Sequence, residues 1–253
     1  MNCLSQVIGY FSYTLEHLGL YEPEITVHEA KDRLNNEGNT WLKYQTDRQD
    51  LWNTFQGNNM TTGPLQPLVA KTIIHLEEQS VKKGVAVDLG CGINTTTFHL
   101  LQKGWKVYAV DNSESVISTL AEKVSPMGKN WINNGQLVLV NESIEKFKYP
   151  EKVDLIIATD SLPYCDPNKI GQIFLEARNA LLPQGVLVCN FFPYSDNPYA
   201  DNMLRGMFGA WMTTKNVVDA MMRSVDFPSW SVIEGKSPGG MAKQFHVFAK
   251  IDS

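Results

Sequence analysis

Residues 85–111 of this chain read Val-Ala-Val-Asp-Leu-Gly-Cys-Gly-Ile-Asn-Thr-Thr-Thr-Phe-His-Leu-Leu-Gln-Lys-Gly-Trp-Lys-Val-Tyr-Ala-Val-Asp. The first five residues are a short apolar run of the kind found in buried parallel strands. Gly90 and Gly92 follow and allow a sharp turn in which the backbone can approach a ligand closely. The next residues have the apolar spacing of a helix with Asn94 as its N-cap, and a second strand then ends at Asp111. The stretch therefore predicts a β-α-β unit with a carboxylate near the end of each strand.

Such a unit is suited to binding a nucleoside. The helix N-terminus offers unpaired N–H groups and a partial positive charge, and an acid that ends the next strand can accept hydrogen bonds from ribose hydroxyls. A dinucleotide fingerprint would need a third glycine where this chain has Thr95. A fixed negative charge at Asp88 would also be poorly placed beside a pyrophosphate, whereas it suits a ligand that carries an ammonium and a sulfonium group.

The pentad Asp88-Leu89-Gly90-Cys91-Gly92 resembles the first motif of the class I S-adenosylmethionine-dependent methyltransferases. Asp111 resembles the acid that binds the ribose in that family. The resemblance implies S-adenosylmethionine as the cofactor and S-adenosylhomocysteine as the product. It also implies the following cofactor-binding residues around the two motifs: Asp88, Leu89, Gly90, Cys91, Gly92, Asn94, Asp111 and Asn112. The reaction implied is direct in-line displacement by an acceptor N, O or S atom, in which alignment and desolvation provide most of the acceleration.

The rest of the chain continues the alternation of strands and helices. Apolar runs predict strands at 136–140, 153–159 and 186–191, and helices at 114–124 and 166–182. Two further strands, 230–234 and 244–250, are joined by a glycine-rich loop without a helix, which predicts an antiparallel hairpin. These elements predict an α/β fold with a Rossmann-like seven-stranded sheet, mostly parallel, that ends in an antiparallel hairpin and is flanked by helices.

The residues that follow the third strand are candidates for adenine binding, by resemblance to the family. In the family, an acid after this strand accepts a hydrogen bond from the adenine amine, and the neighbouring backbone N–H donates to the ring. Matching by position places Glu142 and Ser143 in these roles, with Ile144 as a wall of the pocket.

The residues that follow the fourth strand lie at the edge where open α/β sheets bind ligands. By resemblance, the backbone at Thr159 and Asp160 contacts the methionine portion of the cofactor, and Tyr164 faces the acceptor. Asp160 and Tyr164 are also candidates for removing a proton from the acceptor, although the sequence does not single out a base. Ser161-Leu162-Pro163-Tyr164 is similar to the Asn-Leu-Pro-Tyr of adenine-N6 methyltransferases that act on ribosomal RNA. In this chain, however, a serine replaces the amide, and a hydroxyl cannot present the same fixed acceptor.

Composition narrows the choice of partner. The 253 residues carry a formal net charge of −5, which argues against nucleic acid because nucleic-acid-binding domains usually show a basic face. The four cysteines form no C-x-x-C pair and no metal-like spacing with the five histidines. We therefore predict no metal site and expect a reducing, cytoplasmic location. Residues 1–20 have neither a basic leader nor a long apolar run, so neither a signal peptide nor a membrane span is predicted.

We predict one structural domain, in which residues 64–253 form the methyltransferase domain and residues 1–63 form an N-terminal helical cap or lid. Residues 41–55 are dense in aromatic side chains. They predict a helix that packs on the main domain. The resemblance also implies a lid, because segments before the first motif often cover the cofactor and shape the substrate pocket in that family, which makes Trp41 and Tyr44 candidate substrate contacts; both can hold together.

The segment 101–107, just before the ribose acid, is most similar to the small-molecule branch of the family, including tellurite-resistance and thiopurine-type enzymes. The predicted function is therefore methyl transfer to a small-molecule acceptor. Two alternatives stay open: adenine-N6 methylation of RNA, and a cofactor-binding sensor or partner subunit that does no transfer.

Overall fold

A computed structural model of the chain describes residues 23–45, 65–78, 84–93, 95–124, 130–150, 152–195, 198–236 and 243–252. Residues 1–22 and most of the aromatic segment 41–55 lie outside these residues. The predictions made for them stay predictions.

Within the described residues the strands are β1 (Val85–Leu89), β2 (Lys106–Asp111), β3 (Leu137–Asn141), β4 (Val153–Ala158), β5 (Leu181–Pro193), β6 (Met212–Thr213), β7 (Ser229–Lys236) and β8 (Lys243–Lys250). Seven of them form one sheet in the order β3-β2-β1-β4-β5-β8-β7, and the two-residue β6 pairs with β5 outside this order. Strands β1 to β5 are parallel to one another, whereas β8 is antiparallel to both of its neighbours, β5 and β7. The predicted sheet with its terminal antiparallel hairpin is confirmed.

The described helices are α1 (Val27–Leu42), α2 (Pro67–Glu78), α3 (Thr95–Gln102), α4 (Glu114–Val124), α5 (Ile170–Ala180), α6 (Pro198–Met203) and α7 (Lys215–Ser224). Short 3-10 turns occupy Leu162–Tyr164 and Pro167–Lys169, and a π-helical turn occupies Leu204–Phe208. None of the described helices has both the length and the apolar character needed to cross a membrane.

Two apolar clusters cover the two faces of the sheet. One contains Val87 and Leu89 of β1 together with side chains from α1, α5 and α7. The other contains Ala86 of β1 together with side chains from α2, α3 and α4. The split follows from the pleat, because successive residues of a strand point to opposite faces. Asp88 therefore shares a face with Ala86 and points toward α3.

Helix α1 is continuous over 16 residues and contains Trp41, the first residue of the aromatic segment, in its last turn. The helix predicted for the aromatic segment therefore does not begin at Trp41. A capping box starts α1, because the Thr26 hydroxyl accepts from the Glu29 N–H at 3.1 Å and the Glu29 carboxylate accepts from the Thr26 N–H at 2.8 Å. Ala30 and Leu34 are buried in the cluster that includes α7, so tertiary packing stabilises a helix whose own sequence is polar.

Strand β5 starts five residues earlier than predicted. The predicted helix 166–182 is a 3-10 turn followed by α5, and Leu181 has already adopted extended backbone angles. Leu181 pairs with Val153, but the register shifts before Leu155, and Gln184 has a φ of 66°. This irregularity accommodates Pro183 within the strand, as bulges commonly do.

Candidate functional site

The turn after β1 is closed by backbone hydrogen bonds that it donates to β2. The N–H groups of Gly90 and Cys91 both donate to the Val110 carbonyl, at 2.8 and 2.9 Å. Gly90 has a φ of 67° and Gly92 a φ of 52°, which a residue with a side chain rarely adopts. A Cβ at Gly90 would lie 2.5 Å from the Ser161 Cβ and 3.6 Å from the Ile144 Cδ1. The turn therefore brings together the predicted first motif, Ser161 in the segment that follows β4, and the predicted adenine wall.

Asp88 is buried beneath this turn, with 1% of its surface exposed. The Thr97 hydroxyl of α3 donates to its Oδ2 at 2.7 Å. Burial raises the pKa of Asp88 to about 7; the Thr97 hydrogen bond lowers it, and the nearby Asp111 charge raises it. At neutral pH this carboxyl group is therefore poised between its acid and its ionised form.

Asp111 ends β2 and is held by two backbone donors. The N–H of Gly92 donates to its Oδ2 at 3.0 Å, and the N–H of Ser113 donates to its Oδ1 at 2.9 Å. Burial raises the pKa of Asp111, and these two hydrogen bonds lower it. An ionised carboxylate has about four acceptor positions, so two stay available for hydroxyl donors. Its neighbour Asn112 is exposed.

The predicted adenine-binding residues lie directly beside Asp111. The Asn141 side-chain amide and the Glu142 N–H both donate to the Asp111 carbonyl, each at 3.1 Å. The Ser143 N–H donates to the carboxylate of its own neighbour, Glu142, at 2.9 Å. The Ser143 N–H is thus engaged with Glu142 here and would have to leave it to contact a base, whereas the Glu142 carboxylate keeps further acceptor positions.

Asp160 is the centre of a hydrogen-bond network that the sequence did not reveal. Its Oδ1 accepts from the side-chain amides of Asn190 and Gln244, each at 2.8 Å, and its Oδ2 accepts from the amide of Gln66 at 2.6 Å. The Asp160 N–H donates in return to the Asn190 Oδ1 at 2.6 Å. Asp160 also has a φ of 55°, which the Asn190 bonds help to hold. A sequence signal did exist, because Asn190 interrupts an otherwise apolar strand.

His246 lies at the far side of this network. Its Nε2 is 3.3 Å from the Gln244 Oε1. Burial lowers the pKa of His246, Asp160 raises it and Lys71 lowers it further. The ring is therefore largely neutral at pH 7.

Tyr164 lies in a mostly apolar setting next to Asp160. Its ring packs edge-on against Phe192 with centroids 6.1 Å apart. Burial raises the pKa of Tyr164, and the Asp160 charge raises it further. A phenol with a raised pKa is a poor proton acceptor at neutral pH, so this setting favours a packing or acceptor-wall role over a role as a base.

The remaining predicted residues are placed as follows. Leu89 and Cys91 are fully buried and Thr159 is buried at the end of β4; burial also raises the pKa of the Cys91 thiol. Asn94 lies outside the described residues. Trp41 packs against the larger core cluster, and its Nε1 is buried without a partner among the described residues. The roles of Trp41 and Tyr44 toward a substrate stay predictions.

A cavity of about 160 Å³ lies apart from these residues, between α1, the end of β5 and the start of α7. Its lining includes Glu37 and Tyr194 but none of Asp88, Asp111 and Asp160. Arg205 donates to both carboxylate oxygens of Glu37, at 2.6 and 2.9 Å, and Tyr194 donates to the same carboxylate. These hydrogen bonds link α1 to the segment after β5.

Comparison with known proteins agrees with this geometry. Residues 86–185 match the family described as "Methyltransferase domain". YqeM of Bacillus subtilis (strain 168), a protein assigned as a methyltransferase, is 29% identical over 115 residues, which are 45% of this chain and 44% of YqeM. The chain spans less than half the length of the curated relatives that it matches first.

Two solved structures show the extent of the shared fold. The 1,6-didemethyltoxoflavin-N1-methyltransferase of Burkholderia thailandensis is 16% identical, with a TM-score of 0.57 over 92% of this chain and 93% of that one. The magnesium protoporphyrin IX methyltransferase of Synechocystis PCC 6803 is 15% identical, with a TM-score of 0.56 over 75% of this chain and 90% of that one. At sequence identities this low, the structural similarity supports the fold alone. The comparisons thus give a match of residues 86–185 to the methyltransferase-domain family, and a Rossmann-like fold similar to those of solved methyltransferases.

Proposed function

We propose that the chain is an S-adenosylmethionine-dependent methyltransferase that acts on N, O or S of a small-molecule acceptor. The observation that carries the proposal is that Gly90, Ser161 and Ile144 meet at the turn that follows the buried Asp88. Asp111, which is also buried, ends the neighbouring strand β2 and accepts from Gly92 of this turn. Their elements are far apart in the chain, and the parallel sheet brings them to one carboxyl edge, where open α/β sheets bind ligands.

The residues present fit the cofactor. The Ser161 hydroxyl is buried, with 7% of the residue exposed, and has no hydrogen-bond partner among the described residues. A buried hydroxyl without a partner is costly, and this one lies against the Gly90 turn. Such a group is accounted for if a ligand completes its hydrogen bonding.

Each part of the cofactor has candidate residues. Asp111 would accept from the ribose hydroxyls with its two remaining acceptor positions. Glu142 and Ser143 would bind the adenine, with Ile144 against its face. The carboxyl group of Asp88 would favour the positively charged methionine end. When bound, S-adenosylmethionine supplies a methyl group activated by its sulfonium, so the chain itself has to bind, align and exclude water.

Two facts support a small-molecule acceptor. The Burkholderia enzyme with a similar fold over nearly its full length is named for a small heterocycle. The net charge of −5 also gives no general attraction to polyanions. The RNA alternative needs an aromatic ring free to stack on a base, whereas the Tyr164 ring packs against Phe192.

Calorimetric titration with S-adenosylhomocysteine tests the cofactor assignment. We expect micromolar binding by the wild type and a loss of about tenfold to hundredfold in affinity for Asp111→Asn, because a hydrogen bond to a charged group is worth about 1.5–3 kcal/mol. Asp154→Asn is the matched control, since it removes a carboxylate charge from the sheet at the amino end of β4, where Asp154 accepts from the Val85 N–H at 2.8 Å. A folded wild type that does not bind would refute the proposal.

Transfer is tested separately from binding. Incubation with methyl-labelled cofactor and a small-molecule extract should label a product of low molecular mass, and added RNA should stay unlabelled. Binding without turnover would instead support a sensor or partner subunit.

A further inference from the structure

The Asp160 carboxylate accepts hydrogen bonds from neutral groups, which do not neutralise a negative charge as a cation would. Its three donors, Asn190, Gln244 and Gln66, are neutral amides. Among the described residues no lysine or arginine forms an ion pair with it. The nearby His246 ring is largely neutral at pH 7 because burial lowers its pKa.

This arrangement differs from that of a structural carboxylate. Half-buried acids in a scaffold are commonly paired with a cation, as Glu37 is with Arg205 in the same chain. Amide donors favour the ionised form of a carboxylate but leave its full negative charge to act on whatever lies next to it. Asn190 of β5 and Gln244 of β8 are 1% and 2% exposed. Two buried side-chain amides therefore donate to the Asp160 carboxylate.

The location of Asp160 links it to the acceptor. It is the second residue after β4. Its neighbour Ser161 has a hydroxyl without a partner among the described residues, and Tyr164, four residues further on, packs against Phe192. Three hydrogen bonds occupy three of the roughly four acceptor positions of a carboxylate. One position is left for a ligand donor. A carboxylate or other anionic acceptor would be repelled here, whereas an ammonium or an N–H group would be attracted.

We propose that Asp160 selects the acceptor: it binds a nitrogen compound through an ammonium or N–H group, and Asn190 and Gln244 are positioning residues that hold its carboxylate. The inference rests on the proposed function and narrows the acceptor to compounds that carry an ammonium or N–H group.

The test uses the full chain saturated with S-adenosylhomocysteine and two matched pairs of probes. Tryptamine is compared with indole-3-propionate, and phenethylamine with 3-phenylpropionate; each pair shares a ring and a chain and differs in charge. Calorimetry and thermal melting should show the amine binding at least about tenfold more tightly than its partner. Asp160→Asn should remove the preference, while Asp154→Asn should retain it.

Gln244→Leu tests the positioning role. The Asp160 carboxylate stays in this variant but loses one of its three amide donors, so the preference for the amine within each pair should fall while the affinity for S-adenosylhomocysteine stays unchanged. A purely structural role would lower the melting temperature without changing the ratio of affinities within each pair.

The outcomes separate the two proposals. A folded wild type that does not bind S-adenosylhomocysteine contradicts the proposed function. Binding of S-adenosylhomocysteine combined with equal affinity within each pair, tighter binding of the carboxylates, or no response to either amine overturns the assignment of Asp160. Because the paired probes are compared on the wild type, this result does not depend on any variant folding.

Discussion

Replacement of Asp88 by asparagine should change how the stability of the chain depends on pH. Burial raises the pKa of this carboxyl group from 3.8 to about 7 in the folded protein, while in the unfolded chain it titrates near its ordinary value. The difference corresponds to about 4 kcal/mol, since one pKa unit is worth about 1.4 kcal/mol. Asparagine has nearly the same shape, does not ionise, and can keep a hydrogen bond with the Thr97 hydroxyl.

The direction follows from proton linkage. Between about pH 4 and pH 7 the folded wild type retains a proton on Asp88 that the unfolded chain has released, so the unfolded state binds fewer protons and the free energy of unfolding falls as pH rises. The contribution is fully present below pH 3.8 and is lost as pH rises through about 7. The asparagine variant lacks this contribution at every pH. The free energy of unfolding of Asp88→Asn minus that of the wild type should therefore increase by about 4 kcal/mol between pH 4 and pH 8, at up to about 1.4 kcal/mol per pH unit.

Urea denaturation without cofactor, repeated at several pH values across this range, measures the difference. Asp154→Asn is again the control, and its difference from the wild type should not show the same rise through pH 7. Asp111 titrates in both the wild type and Asp88→Asn, so its own contribution largely cancels. Parallel pH profiles for wild type and Asp88→Asn would refute the argument that burial keeps Asp88 protonated up to about pH 7.

Three further changes test other parts of the structure. Gly90→Ala should abolish binding of S-adenosylhomocysteine and lower the urea midpoint. The left-handed backbone costs about 1–2 kcal/mol for alanine, and the new Cβ meets Ser161. Unchanged binding would contradict the turn geometry. Arg205→Met should destabilise the fold by about 3–5 kcal/mol, since the Glu37 carboxylate then stays mostly buried without its partner, and adding Glu37→Leu should recover part of the loss. Trp211→Phe removes the Nε1 donor to the Cys165 carbonyl at 2.9 Å and should cost about 1–3 kcal/mol in the same assay; a cost near zero would show that water replaces this donor.

The sheet was predictable from sequence because its signals are local. The strand, glycine turn and helix of the first unit lie within 27 contiguous residues, and each has its own pattern of apolar spacing or breakers. The terminal hairpin was likewise visible as two strand patterns without a helix between them. Helix α1 was only partly visible because its stability depends on α7, which lies more than 170 residues further along the chain.

The network around Asp160 was hidden for the same reason. Its hydrogen bonds join residues separated by 30, 84 and 94 positions, and no local spacing rule relates such residues. Asn190 and Gln244 alone indicate only polar residues in apolar strands. In the folded sheet β5 and β8 are adjacent, and this brings both amides to the carboxyl end of β4, where Asp160 lies.

The three aspartates at this edge show how one fold gives the same side chain different properties. Asp88 has one hydroxyl donor and nearly complete burial, so it keeps its proton up to about pH 7. Asp111 has two backbone donors, and Asp160 has three amide donors. Asp88 is buried beneath the glycine turn, with the Thr97 hydroxyl on its Oδ2. Asp160 is only partly buried and keeps about one acceptor position beside its three amide donors. This geometry is the reason to assign Asp160, rather than Asp88, to selecting the acceptor.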